Sequence, residues 1–448
     1  MRVIGIICEY DPFHLGHAWH IAQTRRTAGG ESAVVCCMSG HWTQRAECAI
    51  ADKWTRAGLA LAGGADLVVE LPLPWALSTA ERFARGGVGL LAALGAEALS
   101  FGSESGDLPA LRRTAECLDT PEYQTALRGA LRAGEPFARA RQRAAEALLG
   151  PAAACLAAPN DNLGVEYLRA IRALERPMEA LTIPRRGAGH HSASPVDGFA
   201  SASQIRRLLW AGRGAEAGKL LPPGTVEALG EPARLDWAER AILARLRTMT
   251  VEDFAALPDS GAAEGLPARL YRCARQGAGL EEFYTLAKTK RYTHARLRRL
   301  AVSAFLGLRE ADIPSAPLYV RVLGMNRRGM EVLRERDSNP TVPVLTKPAH
   351  IKSLSLPAQS LFALESRGTD LYGLCFSAPR PCGLEWTHSP VVRMETECRS
   401  HQGTTPLPGR TRQDSRDLEA GKKFFLHPFS LKKKDGGYRG SSIRMSES

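Results

Sequence analysis

The first twenty residues place the tightest constraint on how this chain can fold. Residues 3–8 form an apolar run rich in β-branched side chains, which is typical of a buried parallel strand, and Asp11-Pro12 then indicates a turn into a helix. Strands that alternate with helices predict an α/β fold, in which right-handed crossovers wind a parallel sheet. The alternation continues with helical patterns at about 49–61 and 79–94, and with apolar runs at residues 32–38, 65–72 and 98–104.

The turn after the first predicted strand carries the clearest chemical motif, His14-Leu15-Gly16-His17. Gly16 removes a side chain where a phosphate would approach backbone amides, and a helix N-terminus adds partial positive charge. The two imidazoles could donate hydrogen bonds to nucleotide phosphates as charge develops in a transition state. On the motif alone, two ordinary loop histidines are an equally good interpretation.

Polar residues also follow the other apolar runs. Ligands collect at the carboxyl ends of parallel strands, so one crevice could gather these side chains, although each is also explained as an ordinary loop residue. They are Ser39-Gly40, Gln44-Arg45, Glu70 and Gly102-Ser103-Glu104.

Two later segments offer further phosphate contacts. Residues 159–167 are typical of a helix start, where an N-cap role explains Asn160 or Asp161 about as well as a ligand contact does. Arg185-Arg186 follows an apolar run, and the rigid donor fork of arginine suits a triphosphate. Solvation at the surface explains this pair of arginines equally well.

The second half of the chain is predominantly helical by pattern, and its clearest stretch is 287–299. Six cations, two hydroxyls and Tyr292 lead there into a helix, an arrangement that would suit a phosphate backbone with a base stacked on the ring. A solvated helix face is the more common explanation of such a charge run. Past about residue 390 the chain becomes polar and basic, and we expect residues 391–448 to be disordered.

Composition sets wider limits. The 448 residues allow two or three domains, and 59 Lys+Arg against 47 Asp+Glu give a net charge of +12, which weakly favours a polyanionic partner. The ten cysteines include no pair of CxxC units, so buried reduced thiols are expected rather than a zinc site. Neither a signal peptide nor a bilayer-spanning run is evident, which predicts a cytoplasmic location without a membrane partner. No stable protein partner is implied.

The opening motif resembles those of nucleotidylyltransferases and class I aminoacyl-tRNA synthetases. The longer string Glu9-Tyr10-Asp11-Pro12-Phe13-His14-x-Gly16-His17 resembles the bacterial tRNA(Met) cytidine acetate ligase family, where Asn is usual in place of Asp11. Similar blocks recur in the same order: Met38-Ser39-Gly40-x-x-x-Gln44-Arg45, Asp66 to Pro72, Phe101 to Glu104, Pro159 to Gly164, and Tyr319 to Gly329. The chain departs from the family at Ala46 and Cys48, where Gly and Pro are usual.

The resemblance implies an enzyme that activates acetate with ATP to acetyl-adenylate and then acetylates the wobble cytidine of elongator tRNA(Met). Mg²⁺ is expected to bridge the phosphates with few protein ligands, and no metal site is predicted. His14 and His17 are the expected catalytic residues. The expected ATP contacts are Ile7, Cys8, Glu9, Tyr10, Asp11, Pro12, Phe13, His14, Gly16, His17, His20, Gly102, Asn160, Arg185, Ser203 and Arg206.

The same resemblance divides the chain into a Rossmann-like catalytic domain at 1–210, a mainly helical tRNA-binding domain at 211–390 and the tail. The expected tRNA contacts are Lys288, Lys290, Arg291, Tyr292, Arg296, Arg327 and Arg328. Glu9, Asp11 and Glu104 are candidates for accepting the proton of the acetyl transfer, although a structural hydrogen bond to the backbone explains each of them equally well. Two other interpretations stay open: a small-molecule adenylyltransferase, or a non-catalytic RNA-binding relative.

Overall fold

The protein's structure, a computed structural model, describes residues 1–185, 199–336 and 342–394. These residues belong to one compact unit, Met1–Thr396. Arg186, the loop that follows it and residues 395–448 lie outside the described residues, so the disorder predicted for the tail stays a prediction.

Eight strands of the described residues form one sheet, whose order is β5-β4-β1-β2-β3-β6-β7, with β8 paired to β6. The first five strands are parallel, as the alternating pattern predicts, and β6 pairs antiparallel with β3. The strands are β1 (Arg2–Cys8), β2 (Ser32–Ser39), β3 (Leu67–Leu71), β4 (Ala98–Ser103), β5 (Glu179–Pro184), β6 (Val320–Met325), β7 (Val344–Leu345) and β8 (Val391–Val392).

Helices connect these strands and make up most of the second half. Those of the first half are α1 (Leu15–Ala28), α2 (Lys53–Ala62), α3 (Leu73–Ala76), α4 (Ala80–Ala93), α5 (Leu108–Leu118), α6 (Pro121–Arg132), α7 (Phe137–Leu149), α8 (Pro159–Arg172) and α9 (Ala202–Trp210). Those of the second half are α10 (Gly214–Gly218), α11 (Thr225–Leu229), α12 (Glu239–Thr248), α13 (Val251–Ala255), α14 (Leu266–Gln276), α15 (Leu280–Ala287), α16 (His294–Leu306), α17 (Arg327–Arg336), α18 (Leu356–Tyr372) and α19 (Leu384–Thr387).

Helices cover both faces of the sheet, because alternate residues of each buried strand point to opposite sides. On one face, Val34 and Val68 pack with Ile21 of α1 and Ala57 of α2. On the other face, residues such as Val35 and Leu99 pack with side chains of α4, α8 and α17. Near-continuous apolar strands that are covered on both sides are the expected composition of a parallel sheet.

The second half completes the sheet as well as packing on it. β6 is drawn from residues that the sequence assigns to the helical domain, and it pairs with β3 from Leu67 to Val69. The predicted boundary at residue 210 therefore does not separate the sheet from the rest of the chain.

The helices of the second half pack against the carboxyl ends of β2 and β3. Trp42, which follows β2, is 1% exposed and lies in one apolar cluster with residues of α12, α14, α16 and α18. Its indole Nε1 donates to the carbonyl oxygen of Gly368 at 3.0 Å. The loop after β2 is therefore held between the sheet and the helical half.

Five buried charged residues, which we call the Lys53 cluster, lie at this junction: Lys53, Glu70, Arg321, Glu365 and Glu385. Lys53 Nζ contacts both carboxylate oxygens of Glu70 at 2.7 Å and Glu385 Oε2 at 2.6 Å, and Arg321 Nε lies 3.5 Å from Glu385. Although burial opposes the charge, Glu385 and Glu70 raise the pKa of Lys53, so it stays a cation. The Lys53 cluster thus joins α2, β3, β6, α18 and α19.

Other predictions from composition can be compared with the described residues. The nine cysteines within them are free thiols, of which Cys382 is exposed and Cys8 half-buried, while Cys398 lies outside the described residues. No helix within the described ranges is long and apolar enough to cross a membrane.

Candidate active site

The strand order reverses between β1 and β4, and this is where an open α/β sheet forms its ligand crevice. The His14 turn leaves the carboxyl end of β1, and Gly102 lies in the last part of β4. The two motifs, which are far apart in the sequence, therefore meet at one switch point.

The turn that carries the histidines is held firmly to the sheet. Tyr10 has φ of +49°, a left-handed value that is unusual for a side chain of this size, and its hydroxyl lies 3.3 Å from Cys36 Sγ. The Asp11-Pro12 peptide bond is cis. Phe13 is fully buried against Gly63, where an added Cβ would lie 2.2 Å from the ring. Ile7, Cys8 and Pro12 form the surrounding backbone and are at most half-exposed.

Backbone contacts fix the tautomers of the two catalytic candidates. His14 caps α1, and its Nδ1 accepts from the amide of Gly16 at 3.1 Å, while His17 Nδ1 accepts from the amide of His14 at 3.3 Å. Because both Nδ1 atoms accept, the neutral rings carry their protons on Nε2. The rings stack with centroids 3.6 Å apart, so the two N–H donors belong to one small surface.

Gly16 is needed for this stacking. An added Cβ at Gly16 would lie 2.9 Å from Cε1 of His14, which is closer than side-chain carbons normally approach. The glycine therefore lets the His14 ring fold back over the helix start. This requirement is separate from the phosphate approach that the sequence predicts.

Burial keeps the histidines of this surface neutral. It lowers the pKa of His14 to about 3 and that of His20 to about 4, and the positive charge of Arg185 contributes to both shifts. The pKa of His17 is also lowered, by burial first and then by His14, Arg185 and His20. Neutral imidazoles can donate to developing phosphate charge without first losing a proton.

His20 has polar partners that sequence reasoning missed. Its Nε2 lies 3.1 Å from Ser100 Oγ, which in turn lies 2.6 Å from Thr24 Oγ1. His17, His20 and Thr24 share one face of α1 because they are three and four residues apart. Serine inside an apolar strand gave the only signal for this contact.

The depressed pKa values predict that the protein loses stability in acid. Histidine in the unfolded chain has a pKa near 6.5, so below that pH the unfolded state binds more protons than the folded state does. The neutral histidines make their full contribution to the free energy of unfolding above about pH 6.5. This contribution is lost as pH falls towards 4, by at most about 1.4 kcal/mol per pH unit for each histidine. Urea unfolding at pH 7 and pH 5 measures the slope.

A variant of His20 separates the contribution of this histidine from general acid denaturation. His20→Gln should make the free energy of unfolding less dependent on pH than it is in the parent protein, because the buried imidazole is removed. An unchanged dependence on pH in His20→Gln would contradict the assignment to His20.

Arg185 and Asn160 lie together beside the histidines. The Arg185 side chain lies over Gly102, with its Cγ 3.4 Å from where a Cβ of Gly102 would be, and its Nη1 donates to Asn160 Oδ1 at 3.3 Å. The helix cap proposed for Asn160 is wrong, because Ala158 is the N-cap of α8 and Asn160 is its second helical residue. Gly102, Asn160 and Arg185 are thus brought to the histidine surface.

Arg206 also reaches the opening turn, but it is already ion-paired. Its Nη1 lies 3.1 Å from Asp11 Oδ2 and donates to the Asp11 carbonyl at 2.7 Å. The other Asp11 oxygen accepts from the amide of Ile50 at 2.6 Å. Ser203, one turn earlier in α9, has its hydroxyl 3.1 Å from the capping hydroxyl of Ser201. The aspartate that departs from the family pattern therefore engages the arginine expected to bind phosphate.

Not every polar strand end reaches this crevice. Glu70 belongs to the Lys53 cluster, and an added Cβ on Gly40 would lie 2.3 Å from its carboxylate. Gln44 does reach the opening turn, because its backbone N–H donates to the Glu9 carboxylate at 2.7 Å. The expected single crevice is therefore divided between an open site at β1 and β4 and a buried cluster at β2 and β3.

The cationic stretch before α16 is only partly available to a partner. Lys288, Lys290 and Arg291 are exposed. Tyr292 is 7% exposed and its hydroxyl donates to the Glu264 carbonyl at 2.7 Å, so stacking of a base on its ring is not possible in this conformation. Arg296 pairs with Asp259 and Glu264. Arg327 and Arg328 are exposed at the start of α17, where Arg327 faces Glu331 at 3.6 Å.

The fold and this site define a nucleotidyl transferase. A model of the family described as HIGH Nucleotidyl Transferase matches residues 1–383. The crystal structure of apo Thermotoga maritima TmcAL superposes with a TM-score of 0.83 and 30% identity over 88% of this chain and 100% of that chain. A second TmcAL structure, bound with alpha-thio ATP, gives a TM-score of 0.81 at 29% identity, again over 88% of this chain and 100% of that chain.

Sequence comparison narrows the class. A tRNA(Met) cytidine acetate ligase of Thermoanaerobacter sp. strain X514 is 34% identical over 88% of this chain and its own full length. One from Syntrophotalea carbinolica is 39% identical over 79% of this chain and 86% of that protein. The chain belongs to the tRNA(Met) cytidine acetate ligase family. The resemblance carried by the motifs is thereby confirmed.

Proposed function

We propose that this protein activates acetate with ATP and transfers the acetyl group to the exocyclic amine of the wobble cytidine of elongator tRNA(Met), which gives N4-acetylcytidine. The observation that carries the proposal is the stacked pair of neutral imidazoles at the switch point, with both Nε2–H donors set by backbone contacts. Relatives of 34% and 39% identity bear the corresponding enzyme name.

The first step is an attack by an acetate oxygen on the α-phosphorus of ATP, which forms acetyl-adenylate and releases pyrophosphate. It needs alignment and charge stabilisation rather than a protein nucleophile. His14 and His17 would donate to the phosphate oxygens as charge develops there. Arg185 would add a permanent positive charge, and the amides at the start of α1 would contribute their partial charge.

We propose that Mg²⁺ enters the site bound to ATP. Among the described residues, no group of three or more His, Cys, Asp or Glu side chains is arranged to hold a metal ion. Asp11 and Glu104 are occupied by N–H donors and, for Asp11, by Arg206. Because these carboxylates already have partners, the site suits a Mg²⁺ ion that the phosphate oxygens of ATP would hold. The ion would there neutralise part of the negative charge of the phosphates.

In the second step the cytidine amine attacks the carbonyl carbon of the mixed anhydride, AMP leaves and the nitrogen loses a proton. The sequence offers three carboxylates as acceptors of this proton. Among the described residues, the Glu9 carboxylate accepts from a single N–H donor, the backbone amide of Gln44, whereas the other two carboxylates accept from more. Burial raises the pKa of Glu9, and the charge of Asp11 adds to that rise. Glu9 is therefore the acceptor that we propose.

Mass analysis of tRNA nucleosides tests the overall reaction. Incubation with ATP, acetate and bulk tRNA should produce acetylcytidine in elongator tRNA(Met), whereas a transcript with uridine at the wobble position should stay unmodified. Turnover of ATP with a small phosphorylated acceptor, and none with tRNA, would favour the adenylyltransferase alternative instead.

The exposed cations before α16 should contribute to tRNA affinity. Replacing Lys290 and Arg291 with alanine should weaken tRNA binding and reduce the salt slope by about 1 to 2, because each phosphate contact releases counterions. ATP affinity should stay unchanged. The matched control is Arg112→Ala with Arg113→Ala, an adjacent exposed pair on α5 that removes the same charge. Equal losses in both double variants would show only an effect of net charge.

A further inference from the structure

The carboxylate of Glu104 is surrounded by N–H donors from the start of α8. Its Oε1 accepts from the backbone amide of Asn160 at 3.2 Å and from the Asn160 side-chain Nδ2 at 2.5 Å. Its Oε2 accepts from the amide of Asp161 at 2.9 Å. Two of these three donors are backbone amides of the first helical turn, which have no partner within the helix.

Asp161 makes the opposite connection. Its buried carboxylate accepts from the Ser103 hydroxyl, from the amide of Glu104 at 2.9 Å and from that of Ser105 at 3.1 Å. The end of β4 and the start of α8 therefore bind one another through two carboxylates. Asp161 is buried, whereas Glu104 is exposed.

The contact of Glu104 with Asn160 sets which way the amide of Asn160 points. With Nδ2 directed at Glu104, Oδ1 is directed at Arg185 and accepts from its guanidinium at 3.3 Å. Arg185 is also held through its backbone amide, which donates to the Ser103 carbonyl at 2.9 Å. A flipped Asn160 would present N–H donors to the guanidinium, which itself offers only donors.

We propose that Glu104 is a positioning residue of the ATP site, which orients Asn160 and through it the guanidinium of Arg185. This inference rests on the proposed use of ATP and adds to it a residue that need not touch the nucleotide. It also gives Glu104 a role other than the proton acceptor of the second step. The contact is specific to a carboxylate, since glutamine would place an NH₂ donor among three other N–H donors.

The variant Glu104→Gln tests the proposal. The KM for ATP in acetate-driven pyrophosphate exchange should rise about tenfold, as expected for loss of one charge-assisted contact, while kcat at saturating ATP changes less. Affinity for tRNA should be unchanged. The matched control is Glu116→Gln, an exposed glutamate on α5, which should leave the KM at its original value. Unchanged KM in Glu104→Gln would overturn the proposal.

A double-mutant cycle with Arg185→Ala separates positioning from a general structural effect. If Glu104 acts through Arg185, adding Glu104→Gln to Arg185→Ala should cause no further loss of ATP affinity. Additive losses would overturn the proposal. The cycle uses calorimetric binding of ATP at a temperature where circular dichroism shows all four proteins folded. Because it needs neither tRNA nor acetyl transfer, its result is independent of whether acetylcytidine is formed.

Glu104→Asp provides the conservative rescue. A shorter carboxylate keeps the charge and the acceptor atoms, so its ATP affinity should lie between those of the parent and Glu104→Gln. If Glu104→Asp and Glu104→Gln lose the same affinity and both unfold at a lower temperature, Glu104 would only support the turn.

Discussion

Replacing His17 with alanine should reduce acetate-driven ATP–pyrophosphate exchange by about 100- to 1000-fold, as expected for loss of a donor to the developing charge. The ring of His17 stacks on His14 and presents an Nε2–H, because its Nδ1 is occupied by the His14 amide. Affinity for tRNA should change little. Exchange is measured with labelled pyrophosphate and tRNA affinity by filter binding.

Two conservative variants distinguish the donor from the contact that supports it. The amide of asparagine can take the place of Nδ1, and the longer glutamine can place its amide near Nε2. His17→Gln should therefore keep part of the exchange activity, and His17→Asn should be nearly as inactive as His17→Ala. Full activity in His17→Asn would show that the outer nitrogen of His17 is not needed.

Replacing Lys53 with methionine should destabilise the protein by about 3 to 5 kcal/mol, the usual effect of leaving buried charges without a partner. Lys53 is 0% exposed and contacts both Glu70 and Glu385. Methionine keeps the apolar stem but removes the ammonium. Urea unfolding followed by circular dichroism gives the change in free energy.

The loss should depend on pH and on the partner residues. Carboxylates without a cation take up protons when folded, so the stability difference between Lys53→Met and the parent should shrink as pH falls. Adding Glu70→Gln to Lys53→Met removes one unpaired charge and should restore part of the stability. A Lys53→Met protein as stable as the parent at pH 7 would show that the Lys53 cluster contributes nothing.

The sequence could predict those parts of the fold that depend on residues close together in the chain. Alternating apolar runs and helical patterns located the first four strands to within a few residues, and an apolar run marked the strand that ends before Arg185. The His14 motif lies directly after β1, as its position in the sequence predicts. β6 was missed because its position at the edge of β3 depends on pairing between distant segments. Short apolar runs do not distinguish a strand from a buried helix by pattern alone.

The candidate site shows the same limit. Residue type led to the predictions that Arg206 binds phosphate and that Tyr292 stacks on a base, but it could not indicate Asp11 and Glu264, which engage them. The Asp11 contact also departs from the family pattern. Ser100 and Glu104 gave weak signals, because their partners lie on α1 and α8.

β6 is synthesised long after β3, the strand with which it pairs, and this order affects how the protein folds during translation. On the ribosome, β3 emerges long before β6, so the nascent sheet has an open edge while most of the helical half is still being translated. An open edge can pair with strands of other chains, and chaperones would have to shield it during that interval. Expression of the first half alone should therefore give aggregates, even though every residue of the histidine surface would be present.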